Sequence, residues 1–150
     1  HLDGAHLERH LWSGIDPEVP RVLDELKRQG LLLAVISNTE DGRLIDSLDA
    51  SGITDHFDLL IDSHLVAHRK PDAAIFRLAL ERLELEAHEA AYVGDSYVHD
   101  ALAARAIGMR GILLDPLDLH PESVCPRVRS LSELIEQESE VRIQESEEGN

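Results

Sequence analysis

The stretch Tyr92-Val93-Gly94-Asp95-Ser96-Tyr97-Val98-His99-Asp100 sets two carboxylates five positions apart, the first directly after an apolar run and the second at the start of another. A buried strand handing over to a helix is where open α/β sheets bind their ligands. Two more polar signals stand at comparable handovers upstream. Ser37-Asn38 closes the apolar run 31–36, and Lys70-Pro71 opens a helical pattern. Taken singly, each fits an ordinary role: a strand exit, a surface lysine before a helix-opening proline, or a turn with an aspartate cap. Together they place a hydroxyl, an ammonium and two carboxylates where one ligand could meet all of them.

The elements that must position these groups follow from hydrophobic spacing. Asp16-Pro17 is a helix start, and Val19, Val22, Leu23 and Leu26 continue on one helical face until Gly30. The run 31–36 reads as a strand covered on both faces. A second helix carries Leu44, Ile45 and Leu48 and stops at Gly52, and 57–61 reads as the next strand. After Lys70-Pro71 a helix presents Ile75, Phe76, Ala79, Leu80 and Leu83 on one side. A short strand at 90–93 precedes an alanine-rich helix over 97–107, and a further strand spans 111–114. Asp115 then turns the chain before Pro116, and an edge strand is expected near 127–129. Ser130 and Glu133 form a capping-box pattern for a last helix. Alternating helices and buried strands predict an α/β fold, a Rossmann-like parallel sheet with helices on both faces.

Composition narrows the functional classes. With 150 residues, 43% hydrophobic and 29% charged, the chain reads as one globular domain. A net charge of −16 argues against nucleic acid or an anionic membrane as partner. It would also repel a phosphorylated substrate unless a local cation or metal offsets it. No apolar run reaches membrane-spanning length, and the single Cys125 can form no internal disulfide, so a cytoplasmic location is expected. The chain opens on His1 and its one methionine is Met109, which suggests an N-terminal truncation.

At this point Val35-Ile36-Ser37-Asn38, Lys70-Pro71-Asp72 and Gly94-Asp95 with Asp100 resemble the second, third and fourth motifs of the haloacid dehalogenase-like hydrolases, in order and in spacing. The resemblance covers roughly residues 15 to 136 and is greatest to the branch with a helical cap. It implies residues 1–15 as the remnant of that cap and its hinge and 16–136 as a partial core; over 137–150 the apolar pattern fades into Glu-rich sequence, which reads as an acidic disordered tail. It further implies a Mg²⁺-dependent phosphatase of a small phosphorylated metabolite, working through an aspartyl-phosphate. Ser37 and the Asn38 backbone N–H would hold phosphate oxygens, and Lys70 would offset charge at the reacting centre. Asp95 would be the metal-binding carboxylate, and Asp100 would orient a metal-bound water or hold Lys70.

The first motif, an apolar strand ending in Asp-x-Asp, does not occur in these 150 residues; Asp3-Gly4 has no apolar strand before it. In the family that strand lies mid-sheet, between the strands at 31–36 and 90–93. The resemblance therefore implies a core lacking this strand and most of the cap, inactive alone, and either marginally stable or self-associating. Arg69, where relatives often carry an acidic or small residue, adds positive charge beside the site. The competing reading is a non-catalytic relative that binds a phosphorylated ligand or a protein. A receiver-like signalling domain would need an acidic cluster, and none is apparent. His6 and His10, four apart, lack the Glu that a zinc-protease helix requires. His64, His68, His99 and Cys125 are given no catalytic role, and Trp12 is expected at the hinge.

Overall fold

Val35 and Ile36 are adjacent on one strand yet pack into different cores. Val35 joins Val19, Leu23, Leu44, Leu48 and Ile53, whereas Ile36 joins Ile61, Ile75, Phe76, Ala79 and Leu80. Successive strand side chains point to opposite faces, so Val35 and Ile36 require helices on both sides of the sheet, whereas Leu32, earlier in the run expected to be covered, is 49% exposed. The protein is seen in a computed structural model whose described residues are 18–135. The expected cap remnant, His6, His10, Trp12, the Asp16-Pro17 helix start and the acidic tail lie outside that range.

In chain order the elements are α1 (Glu18–Arg28), β1 (Ala34–Ser37), α2 (Leu44–Ser51), β2 (Leu59–Asp62), the one-turn α3 (Ser63–Val66), α4 (Ala73–Leu83), β3 (Ala91–Gly94), a π-helical segment (Tyr97–Leu102) running into α5 (Ala103–Ala106), β4 (Arg110–Leu114) and β5 (Arg127–Val128). All pairings are parallel. β1 pairs with β2, Ser37 lying opposite Asp62, while β3, β4 and β5 form a second sheet in that order. Among the described residues β1 and β3 share no ladder. The two half-sheets are instead joined on one face by α4, whose Ile75, Phe76, Ala79 and Leu80 share a core with Ile36, Ile61, Ala104 and Met109.

Several boundaries differ from expectation for identifiable reasons. The ladder begins at Ala34 rather than at residue 31, because its partner Leu59 opens β2 there. The helix expected to open on Pro71 starts at Ala73, where the Asp72 carboxylate caps the Ala74 N–H. The expected helix over 97–107 opens as a π segment. Two glycines let that segment lie against the sheet. A Cβ on Gly94 would stand 2.4 Å from atoms of Asp100, and one on Gly111 would stand 2.1 Å from the Ala101 carbonyl oxygen. Glu133 accepts from the Arg129 N–H rather than completing a box with Ser130.

Asp115 does more than turn the chain. It is buried, and its carboxylate accepts from the N–H groups of Leu119 and His120 and from Arg127, tying the β4–β5 connection together. Burial pushes this carboxyl up, but the two amides and the guanidinium outweigh it and hold it below the usual aspartate value. Among the described residues no helix is long and apolar enough to cross a membrane.

Candidate active site

Parallel strands deliver all their C-terminal ends to one edge, and the motif residues collect there. Ser37 is the last residue of β1 and is buried; Asp95 directly follows Gly94, the last residue of β3, and is half-buried. Lys70 lies in the loop before α4 and is 5% exposed, a buried cation at a position where sequence alone equally allowed a surface lysine. The Lys70–Pro71 peptide is cis.

Two anchors hold Lys70. The first is the Asn38 side chain, whose Oδ1 accepts from the Lys70 N–H at 2.9 Å while its Nδ2 donates to the Lys70 carbonyl at 3.0 Å. This amide therefore reads the lysine backbone as a neighbouring strand would, and it ties the end of β1 to the loop before α4. The second anchor grips the ammonium. Lys70 Nζ donates to Asp100 Oδ1 at 2.8 Å and to the Tyr92 hydroxyl at 3.0 Å. Asp100 is 2% exposed, and its other oxygen accepts from the Ser96 N–H at 3.0 Å. A carboxylate and an ammonium this deeply buried persist because each satisfies the other and further bonds take up the remaining valences.

Tyr92 is the group that motif reading passed over. Its hydroxyl accepts from Lys70 and donates to the Ile36 carbonyl at 3.1 Å, so one phenol links β3, β1 and the lysine. Its ring meets Phe76 edge-on at 5.0 Å between centroids. Its place in an apolar strand made it look like core; the one available signal was a hydroxyl two residues before Gly94 in a strand expected to be buried, since buried phenols usually find partners.

The structure thus brings Asn38, Lys70 and Asp100 into one hydrogen-bonded network, with Ser37 and Asp95 flanking it along the chain. His99 is exposed and engages Ser96 Oγ, both as a backbone donor and through Nδ1. Among the described residues no three His, Cys, Asp or Glu side chains cluster as a metal cage. Mg²⁺ does not need such a cage, since it retains waters and takes one or two carboxylates. At this edge Asp100 is committed to Lys70 and Ser96, and Asp95 follows the C-terminal end of β3.

Over 115 residues the chain is 41% identical to haloacid dehalogenase-like hydrolase domain-containing protein 3 of Mus musculus, covering 73% of this chain and 45% of that protein. It is 35% identical over 112 residues to a ribulose-1,5-bisphosphate 5-phosphatase of Halopiger xanaduensis, covering 75% and 46% of the two chains. The chain therefore spans less than half the length of these curated relatives. Among solved structures it superimposes on a HAD phosphatase from Thermococcus onnurineus with a TM-score of 0.72 at 31% identity, covering 79% of this chain and 55% of that one. Residues 8–114 match the family described as haloacid dehalogenase-like hydrolase, and with the parallel sheets and the ordered motifs this places the chain in that family.

Proposed function

We propose that this chain carries most of the core of a phosphoric monoester hydrolase acting on a small phosphorylated metabolite. The reaction runs through an aspartyl-phosphate whose aspartate lies outside these 150 residues. What supports the reading most is the buried Lys70, held at both its backbone and its ammonium where the ends of β1 and β3 approach. Phosphatases among the relatives, including a phosphoserine phosphatase of Thermus thermophilus 37% identical over 106 residues, support the reaction class.

In this reading the Ser37 hydroxyl and the Asn38 backbone N–H bind phosphoryl oxygens. The Lys70 ammonium faces the charge that builds up as phosphorus is attacked, an effect strongest where water is excluded. Asp100 and Tyr92 keep the ammonium from swinging away, and the Asn38 side chain keeps the lysine backbone from retreating. Asp95 would hold Mg²⁺, which would supply positive charge to a phosphorylated ligand. Splitting one displacement into two through a covalent carboxylate is what makes the hydrolysis accessible.

The test is phosphate release from a panel of phosphometabolites, with and without Mg²⁺, by a longer form that supplies an apolar strand ending in Asp-x-Asp. Turnover is expected only with Mg²⁺, and Asp95→Ala, or Lys70→Ala assayed at a temperature where circular dichroism shows it folded, should abolish it. Unchanged turnover in either variant refutes the assigned roles. Phosphate binding without release would favour the non-catalytic module instead.

A further inference from the structure

Asp62 stands opposite Ser37 in the β1–β2 register, is 5% exposed, and belongs to none of the family motifs described above. Its carboxylate is fully employed. Oδ1 accepts from the Thr39 hydroxyl and from the His64 N–H at 3.1 Å, and Oδ2 accepts from the Leu44 N–H at 3.0 Å. Thr39 and Leu44 bracket the connection between β1 and α2, so a single side chain grips both ends of the turn that follows Ser37-Asn38.

The neighbouring residues reinforce the grip. The Thr39 hydroxyl, while donating to Asp62, accepts from the Gly42 N–H at 3.1 Å. The Thr39 N–H donates to Ser63 Oγ at 2.9 Å, and that hydroxyl also engages the Thr39 carbonyl at 3.3 Å. Gly42 has a φ of +73°, and a Cβ there would meet His64 and Leu65 side-chain atoms at 3.2 and 3.3 Å, so the turn is pressed against α3. Beginning one residue beyond Asn38, the Thr39 backbone and hydroxyl and the Leu44 N–H are all tied to Asp62 and Ser63.

We propose that Asp62 and Thr39 are positioning residues for phosphate binding: the carboxylate–hydroxyl pair locks the turn so that Ser37 and Asn38 present their groups to a phosphoryl oxygen in one fixed orientation. This rests on the reading of Ser37, Asn38 and Lys70 as the phosphate-binding set. Asp62 and Thr39 touch no ligand in this account; they act by removing the turn's freedom, so that binding need not supply the ordering. A hydroxyl is required at 39 and a methyl is not, because only the oxygen serves both Asp62 and Gly42.

The experiment is a titration of the chain with inorganic phosphate in the presence of Mg²⁺, followed at the Ser37 and Asn38 amides by ¹⁵N NMR. Thr39→Val should weaken phosphate binding by about tenfold, the loss of a hydrogen bond to a charged group, while Thr39→Ser restores it. Ser63→Ala, which releases the Thr39 N–H without disturbing the Asp62 carboxylate, serves as the second variant should Thr39→Val fail to fold; it should weaken binding in the same direction. A merely structural role would lower the unfolding midpoint without separating Val from Ser in affinity. If the wild-type chain binds phosphate and the folded variants bind it equally well, the positioning role is overturned and the phosphate-site reading stands. If phosphate perturbs neither amide in the wild-type chain, that reading falls and this proposal falls with it.

Discussion

Replacing Lys70 with methionine removes the ammonium while keeping a side chain of similar length. Asp100, 2% exposed, would lose the donor on Oδ1 and keep only the Ser96 N–H on Oδ2. Deleting one partner of a buried pair typically costs about 3–5 kcal/mol, because the remaining charge is stranded. For a chain of this size each kcal/mol lowers the melting temperature by about 2–4 °C, so the loss should be about 6–20 °C. Since natural domains are stable by only about 5–15 kcal/mol, the variant should lose a substantial share of its stability. Urea unfolding followed by circular dichroism measures the difference. Adding Asp100→Asn should recover part of it, because a neutral amide needs no counter-charge, and the coupling should be about 0.5–3 kcal/mol. A Lys70→Met variant within about 0.5 kcal/mol of wild type, or additive effects in the double variant, would refute the closed, buried pair described above.

Three further outcomes are expected. Tyr92→Phe keeps the edge-on contact with Phe76 but strips one acceptor from Lys70 and one donor from the Ile36 carbonyl, and should cost about 1–3 kcal/mol in urea unfolding with the Phe76 ring signals unmoved. Gly111→Ala puts a methyl where the Ala101 carbonyl lies and should cost about 1–3 kcal/mol, with faster amide exchange across the Tyr97–Leu102 segment. Acid should weaken the fold through Asp58 and Asp115. Asp58 is held below its usual value first by the Lys27 ammonium and then by the Leu33 N–H, and Asp115 by the bonds described above. A depressed folded-state pKa contributes stability that is present above the unfolded value near 3.8 and is lost as pH falls through the lower folded value. Unfolding midpoints should therefore drop below about pH 4, and Asp58→Asn should flatten that drop; an unaltered pH profile would contradict it.

Hydrophobic spacing was sufficient to read the order of helices and strands, because that order is a local property. Val19, Val22, Leu23 and Leu26 all turn inward, as their helical spacing requires. Boundaries were less legible, since a strand begins where its partner does: nothing within 31–36 announces that Leu59 waits opposite Ala34. The π segment was invisible for the same reason. Its geometry is tied to Asp100 reaching both Ser96 and a lysine thirty positions away, and alanine-rich periodicity reads as an ordinary helix. At the site, residue types were legible and their wiring was not. Sequence pointed to the backbone of Asn38, whereas its side chain clamps Lys70 across 32 positions. Tyr92 looked like part of an apolar strand and Asp62 stood just past the end of one, because a partner distant in sequence leaves no trace in local spacing.

Asn38 hangs from one half-sheet, Asp100 from the other, and Lys70 fastens to both. Any molecule grasped from the two sides would behave as a clasp across this joint. It would resist the parting of β1 from β3 in proportion to its occupancy, adding about 2.7 kcal/mol at a hundredfold excess over its dissociation constant. A simple melting curve can therefore rank candidate ligands before any turnover is measured, and the best clasp would be the one that reaches Ser37 and Asp95 at once.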